Sequence, residues 1–271
     1  MTPYLLLAPA ALLFVLLFVI PEGAMLAISF GAPAWTLGNY AHFLGDAYYL
    51  GVLLRTLLLG LLVTGVTLAF ALPLAYWLAR LPARRASLLL VLATFPLWIS
   101  AVVRSFGWIV LLARNGSLAQ ALRAIGLAAP PFQLVGTLTG VVIALAQVLL
   151  PFMLLSLYGV VRAIDPELER AAQNLGASPL KAAALTVLPL AARGILSSSM
   201  LIFALAVSAF ATPSLVGGAR VQLMATTIYE QMTELNDWPF AATVAFILLA
   251  VALVIVLVGT RLDAAGAAPG R

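Results

Sequence analysis

Apolar residues in this chain neither alternate nor recur at a helical period. They run on without interruption in six stretches, at about 4–30, 51–79, 86–112, 134–161, 194–216 and 239–260. A helix that crosses a bilayer needs about 20 mostly apolar residues, and each stretch meets that length. A segment apolar on every face has no polar side to give to water, so the pattern predicts an all-α membrane protein with six transmembrane helices. The first stretch reads as a retained helix. It has no basic segment before it, and its apolar core exceeds the roughly 7–15 residues of a signal peptide. An A-x-A-like cleavage pattern does occur at Ala32-Pro33-Ala34.

Polar positions collect between the stretches, most densely in DPELERAAQNLGASPLKAAALTVLP, residues 165–189. Asp165 is suited to an N-cap, Pro166 to a first helical position, and Glu167 and Glu169 to the positive end of a helix dipole. Gly176 can take the left-handed conformation that ends a helix. Ser178 and Pro179 then repeat the start signal. The segment therefore predicts two short helices, at about 166–174 and 179–188, meeting at a bend near Gly176. Such a pair serves either as a docking element or as a plain interfacial helix pair.

Composition narrows the class. Hydrophobic residues make up 64% of the 271 positions, against roughly 45–50% in soluble domains. There is no cysteine and one histidine, His42, which removes disulfides, thiolate metal sites and multi-histidine centres. The net charge of +5 does not indicate nucleic acid, because the basic residues are few and lie scattered between apolar runs. They report sidedness instead. One set of connections holds Arg80, Arg84, Arg85, Arg162, Arg170, Lys181, Arg193, Arg261 and Arg271; the opposite set holds only Arg114, Arg123 and Arg220. The richer side is expected to be cytoplasmic, which puts both termini and the 165–189 loop inside the cell.

That loop carries a resemblance. Arg170-Ala171-Ala172, three residues, Gly176, nine residues and then Thr186-Val187-Leu188-Pro189 is similar to the cytoplasmic signature of ABC-importer permeases, in which Glu-Ala-Ala, Gly and Ile-x-Leu-Pro stand at those spacings. Arg170 replaces the usual Glu, with Glu169 one place earlier, and Thr186 replaces Ile. Further stretches resemble the spermidine/putrescine-type branch: Phe95–Trp98, Val103–Trp108, Arg114–Gly116 and Phe210–Gly218. Many polyamine-type relatives have an acidic residue just before the Phe of the last stretch, where this chain has Ala209.

The resemblance implies a type I ABC importer permease fold, a single transmembrane domain over 1–271 with a coupling loop at about 162–193. It implies that Glu169, Arg170, Ala171, Ala172, Leu175, Gly176, Ala177, Ser178 and Pro179 meet a cytoplasmic ATPase subunit, with Glu169, Arg170 and Lys181 available for ion pairs at the rim. The implied partners are a second permease subunit, similar but distinct, two ATPase subunits and a periplasmic solute-binding protein, in the bacterial inner membrane. The implied cargo is a polyamine, or else another small organic solute or ferric iron. No cofactor is implied. Lys181 is the only lysine and no G-x-x-x-x-G-K-[ST] loop is present, so the phosphate cradle of an ATPase is absent from this chain.

Candidate pathway or gate residues are Arg104, Phe210, Thr212 and Pro213. Arg104 lies inside a span, where a charge is costly and functional roles are common. It either snorkels to the outer interface or faces the pathway and steadies an outer gate. Pro213, followed by Gly217-Gly218, is expected to break the fifth span near its outer end. In the outer loops, Ser117 to Gly126 predicts a surface helix with Leu118, Leu122 and Ile125 on its apolar face. Glu230 and Glu234 share a helical face near Asp237, as an acidic pathway entrance or a solvated face. His42 belongs with Tyr40, Phe43, Tyr48 and Tyr49 in an interfacial aromatic cluster. An ion-coupled transporter is disfavoured because no acidic residue lies mid-span, Glu22 being near an end, and a membrane enzyme because no catalytic cluster is present.

Overall fold

The computed structural model describes residues 3–31, 33–124 and 133–265, and every element among them is helical. Five helical runs are long and apolar enough to cross a membrane: Pro9–Ser29, Ala47–Ala79, Leu138–Arg162, Pro179–Val207 and Trp238–Gly259. A sixth crossing is available only as a bent pair, Ala83–Trp98 and Ala101–Ala121, whose halves meet at 91°.

The chain divides into two compact units, Met1–Arg55 with Leu223–Val251, and Thr56–Gln222 with Ala252–Arg271. In the first, α1 (Pro3–Phe14) continues through a π turn at Val15–Val19 into α2 (Ile20–Ser29). The short α3 (Gly38–Gly45) and α12 (Met224–Thr233) belong here, with the start of α13 (Trp238–Ala265). Ser29 ties this unit together. Its hydroxyl is 2.8 Å from the Tyr40 hydroxyl and its carbonyl accepts from Thr243 Oγ1 at 3.1 Å. The expected aromatic cluster is present: His42 and Tyr49 both lie against Phe240, with ring centroids 5.1 and 4.8 Å away, and Phe43 is fully buried.

The second unit is built on α4 (Ala47–Ala79) from Thr56 onward, α8 (Leu138–Arg162) and α11 (Leu188–Val207). α8 has the longest buried face, including Leu145, Leu149, Met153 and Leu157. Glycines let these helices close on one another. A Cβ added at Gly194 would lie 2.4 Å from Val160, and one at Gly60 would lie 2.6 Å from Val207. Small residues at such crossings allow dense packing where lipid supplies no hydrophobic drive. Ser156 and Ser198 add an interhelical hydrogen bond of 2.6 Å between α8 and α11.

The third span is bent where a proline inside it predicts a kink, and three expectations about the other spans need correction. In the third, α5 (Ala83–Thr94) runs into a 3-10 turn at Phe95–Trp98, Ile99 and Ser100 are extended, and α6 (Ala101–Leu112) starts anew. Pro96, which has no N–H to give a helix, lies in that turn. The fourth begins at Leu138, where Thr137 caps it by accepting from Gly140 N, rather than near 134. The fifth begins at Pro179, because the second loop helix does not stop at 188. Here α10 (Pro179–Ala182) widens into a π turn at Ala183–Val187 and continues as α11. The wider turn, with Leu188 N–H on Ala183 O, makes room for Pro189 without a break. Arg193 therefore lies on the span, not in a loop. Finally, the fifth span's break precedes Pro213. α11 ends at Val207, Ser208–Phe210 are non-helical, and Pro213 opens a new π turn at Pro213–Gly217. The proline ring excludes a helical carbonyl four residues upstream, at Ala209, so the disruption falls on that side.

Candidate functional site

The loop between α8 and α11 holds all nine predicted coupling residues, and its shape follows from its caps. Asp165 Oδ1 accepts from Glu167 N at 2.9 Å, and α9 runs from Glu167 to Asn174, one residue later than expected. Gly176 sits at φ +92°, in left-handed space. Ala177 N–H bonds Ala172 O at 3.1 Å and Gly176 N–H bonds Gln173 O at 2.9 Å, the paired closure of a Schellman motif. Ser178 Oγ then accepts from Lys181 N at 3.4 Å to start α10. The helix–glycine–helix bend predicted from residue types is present.

The side chains of the loop divide into two sets. Glu169 is only 6% exposed and faces inward. It accepts a 2.6 Å hydrogen bond from Tyr76 Oη and pairs with Arg80, both near the end of α4. The Arg80 guanidinium also lies 5.5 Å from the Tyr76 ring centroid. This corrects the expectation of a rim ion pair for Glu169: its charge is already used within the chain. Arg162 supports the same junction by donating to Ala79 O at 2.5 Å, and Ala79, Val161 and Val187 form a small buried cluster beneath it. The second set faces outward. Ala171, Gly176, Ser178 and Pro179 are exposed, Ala172 and Ala177 half-buried. Leu175 is 90% exposed and Leu180 85%, so an apolar tip stands clear of this chain. Arg170 is exposed and paired with Glu167 on its own helix; Lys181 is exposed.

The pathway candidates gather around the two broken spans. Arg104 donates from NH1 to Pro96 O at 2.8 Å, bridging the bend between α5 and α6. Thr212 is buried, with its hydroxyl 3.4 Å from Ser105 Oγ. Pro213 is buried one residue on and Phe210 is 38% exposed. Trp108 Nε1 donates to Gln147 Oε1 at 3.3 Å, and Gly136 N donates to Val216 O at 2.9 Å. Arg104, Thr212 and Pro213 are thus all tied to breaks in helical backbone, where freed polar groups need partners within protein.

Sequence reasoning missed Tyr76, Arg80, Ser105 and Gln147. Tyr76 and Arg80 have a readable signal in their four-residue spacing, which places both on one helical face toward the loop. Gln147 is a lone amide in an apolar run. The pairing of Ser105 with Thr212 leaves no local trace.

The features singled out in the other loops are largely structural. α7 (Ser117–Ala124) forms where the capping serine predicts it, and Arg123 bonds Arg114 O at 2.8 Å. Ile125 and Gly126 lie outside the described residues. Asp237 Oδ1 caps α13 by accepting from Phe240 N at 3.0 Å, and Glu234 stands at the end of α12. No group of three or more His, Cys, Asp or Glu that would hold a metal ion occurs among the described residues.

Residues 47–264 match the family model described as binding-protein-dependent transport system inner membrane component. The chain is 34% identical over 233 residues to the spermidine/putrescine transport system permease protein PotB of Escherichia coli, covering 86% of this chain and 84% of that one. It is 29% identical over 242 residues to PotB of Haemophilus influenzae, covering 89% and 83%. Its backbone is similar to a chain of a bacterial ABC transporter that imports the acidic polysaccharide alginate, with TM-score 0.77 and 18% identity over 98% of this chain and 96% of that one. The last likeness shows the fold. Taken with the helix–glycine–helix loop and the apolar spans, these matches place the chain in the binding-protein-dependent transport family: it is an inner-membrane permease subunit of an ABC importer.

Proposed function

We propose that this permease moves a polyamine, spermidine or putrescine, into the cytoplasm by alternating access. The observation that carries the substrate is the 34% identity to a spermidine/putrescine permease over most of both chains. The two compact units act as one permease domain, with both termini and the 165–189 loop in the cytoplasm. A solute-binding protein delivers cargo from the periplasm, and a second, distinct permease subunit completes the pathway.

Hydrolysis belongs to two separate ATPase subunits, since this chain has no phosphate loop. The outward set of the loop is the docking surface: Arg170, Ala171, Ala172, Leu175, Gly176, Ala177, Ser178 and Pro179. Leu175 buries apolar area in the ATPase, at about 25 cal/mol per Å² removed from water. Glu169 serves the same function from inside by fixing α9 to the end of α4. Nucleotide-driven closure of the ATPase pair then shifts the population of permease states, because it binds one arrangement of the loop better than the other. Arg104, Phe210, Thr212 and Pro213 form the moving part of the pathway, where broken backbone can change partners.

The test is thermal-shift screening of the cognate binding protein. Stabilisation by putrescine or spermidine is expected, and its absence with both removes the polyamine reading. Ala209 favours a second cargo, a small solute that is not a polycation, since many polyamine-type relatives carry an acid there. Stabilisation by such a solute alone would select it.

A further inference from the structure

Tyr76 links two cavities, each of about 330 Å³: it lines one and hydrogen-bonds Glu169 in the lining of the other. One is an apolar groove bounded by Leu72, Pro73, Val161, Leu180 and Leu188, with the Tyr76 ring in its wall. The other has a mixed lining, in which Arg80, Arg162, Glu169, Arg170 and Gln173 stand beside Ala79 and Pro166. Counting Glu167, which pairs with Arg170 from outside, three guanidiniums face two carboxylates. Arg80 Nε is buried without a hydrogen-bond partner. Ala79 and Arg162 are the last residues of two apolar helical runs long enough to cross a membrane, so this second cavity lies at the ends of those runs.

We propose that this pair of cavities is a binding site for one anionic glycerophospholipid. An acyl chain occupies the groove, and the phosphate sits against Arg162 and the unpaired Arg80 Nε. An apolar slot beside a basic pocket at a span's end fits a molecule with both characters, and basic pockets between transmembrane helices are suited to anionic headgroups. A zwitterionic lipid would place an ammonium against the guanidiniums. Because the cavities are walled by both α9 and the α10–π segment, a bound lipid braces the two arms of the coupling loop against α4. The proposal rests on the cytoplasmic placement of this loop given above.

The test is lipid retention by the assembled transporter, read by native mass spectrometry after delipidation and addition of phosphatidylglycerol or phosphatidylethanolamine. One phosphatidylglycerol per copy of this chain is expected, with phosphatidylethanolamine retained far less. Retention should fall about fivefold in Arg162→Gln, which removes one arginine charge. Ala184 also lines the groove; Ala184→Trp, which fills it while leaving every arginine in place, should lower retention independently. Equal retention of both lipids, or retention indifferent to both substitutions, overturns the site. So does displacement by millimolar inorganic phosphate, which would make it a free-anion site, or retention only when the ATPase is removed, which would give the surface to that protein. The readout needs neither transport nor polyamine. Labelling of Leu175→Cys from outside intact cells would overturn the loop's sidedness while leaving the lipid result standing.

Discussion

Replacing Glu169 with Gln tests whether the coupling loop is held by a charge inside its own chain. The carboxylate is 6% exposed, accepts from Tyr76 Oη at 2.6 Å and pairs with Arg80. A hydrogen bond to a charged group contributes about 1.5–3 kcal/mol, and a neutral one about 1 kcal/mol. Glutamine keeps the shape and one neutral bond but not the charge. The expected loss is about 1–2 kcal/mol, which makes the detached state of α9 roughly 5–30 times more populated. Leaving Arg80 partly buried without a counter-charge pushes the effect in the same direction. Hydrogen exchange reads this directly: amides across 167–177 should exchange faster by that factor, while those of α8 remain unchanged. In proteoliposomes, uptake per ATP hydrolysed should fall with the complex still assembled. Arg80→Gln should show the same acceleration, and the double variant little more than either alone, because both remove one interaction. Unchanged exchange in Glu169→Gln, or full additivity in the pair, would refute the internal-anchor account.

Two further substitutions follow from the backbone. Gly176→Pro forces φ from +92° toward the roughly −65° of proline; the protein should remain in the membrane and the ATPase should still hydrolyse, but uptake should stop, and normal uptake in proteoliposomes would contradict the loop's role. Gly194→Leu drives a side chain into Val160, 2.4 Å from the added Cβ; overpacking of about 1–3 kcal/mol should lower the melting temperature, and Val160→Ala should restore part of it if the helix crossing is as close as described.

The loop was legible because its instructions are local. Asp165, Gly176, Ser178 and Pro179 each state a backbone preference within a few residues, and the backbone follows them. The spans were legible in number and approximate place because unbroken apolarity has few solutions in lipid. Their breaks were less so. Pro189 and Pro213 are both prolines in apolar helical runs, yet one is absorbed by a π turn and the other lies beyond a break. What decides is how the preceding turn is packed, which is tertiary information. Glu169 shows the same limit. Its position in the first turn of α9 is readable, but its direction depends on Tyr76 and Arg80, about ninety residues away in sequence. Likewise, the bond from Arg104 to Pro96 O exists only because the third span bends by 91°.

The most direct measurement is cross-linking from Leu175→Cys in the assembled transporter. The chain has no cysteine of its own, and Leu175 is 90% exposed on the loop's apolar tip, so the introduced thiol is unique and accessible. A short bifunctional reagent should join it to the ATPase subunit, and a water-soluble maleimide should label it only once that subunit is removed. Equal labelling with and without the ATPase, and no cross-linked product, would contradict the claim that this loop is where the two proteins meet.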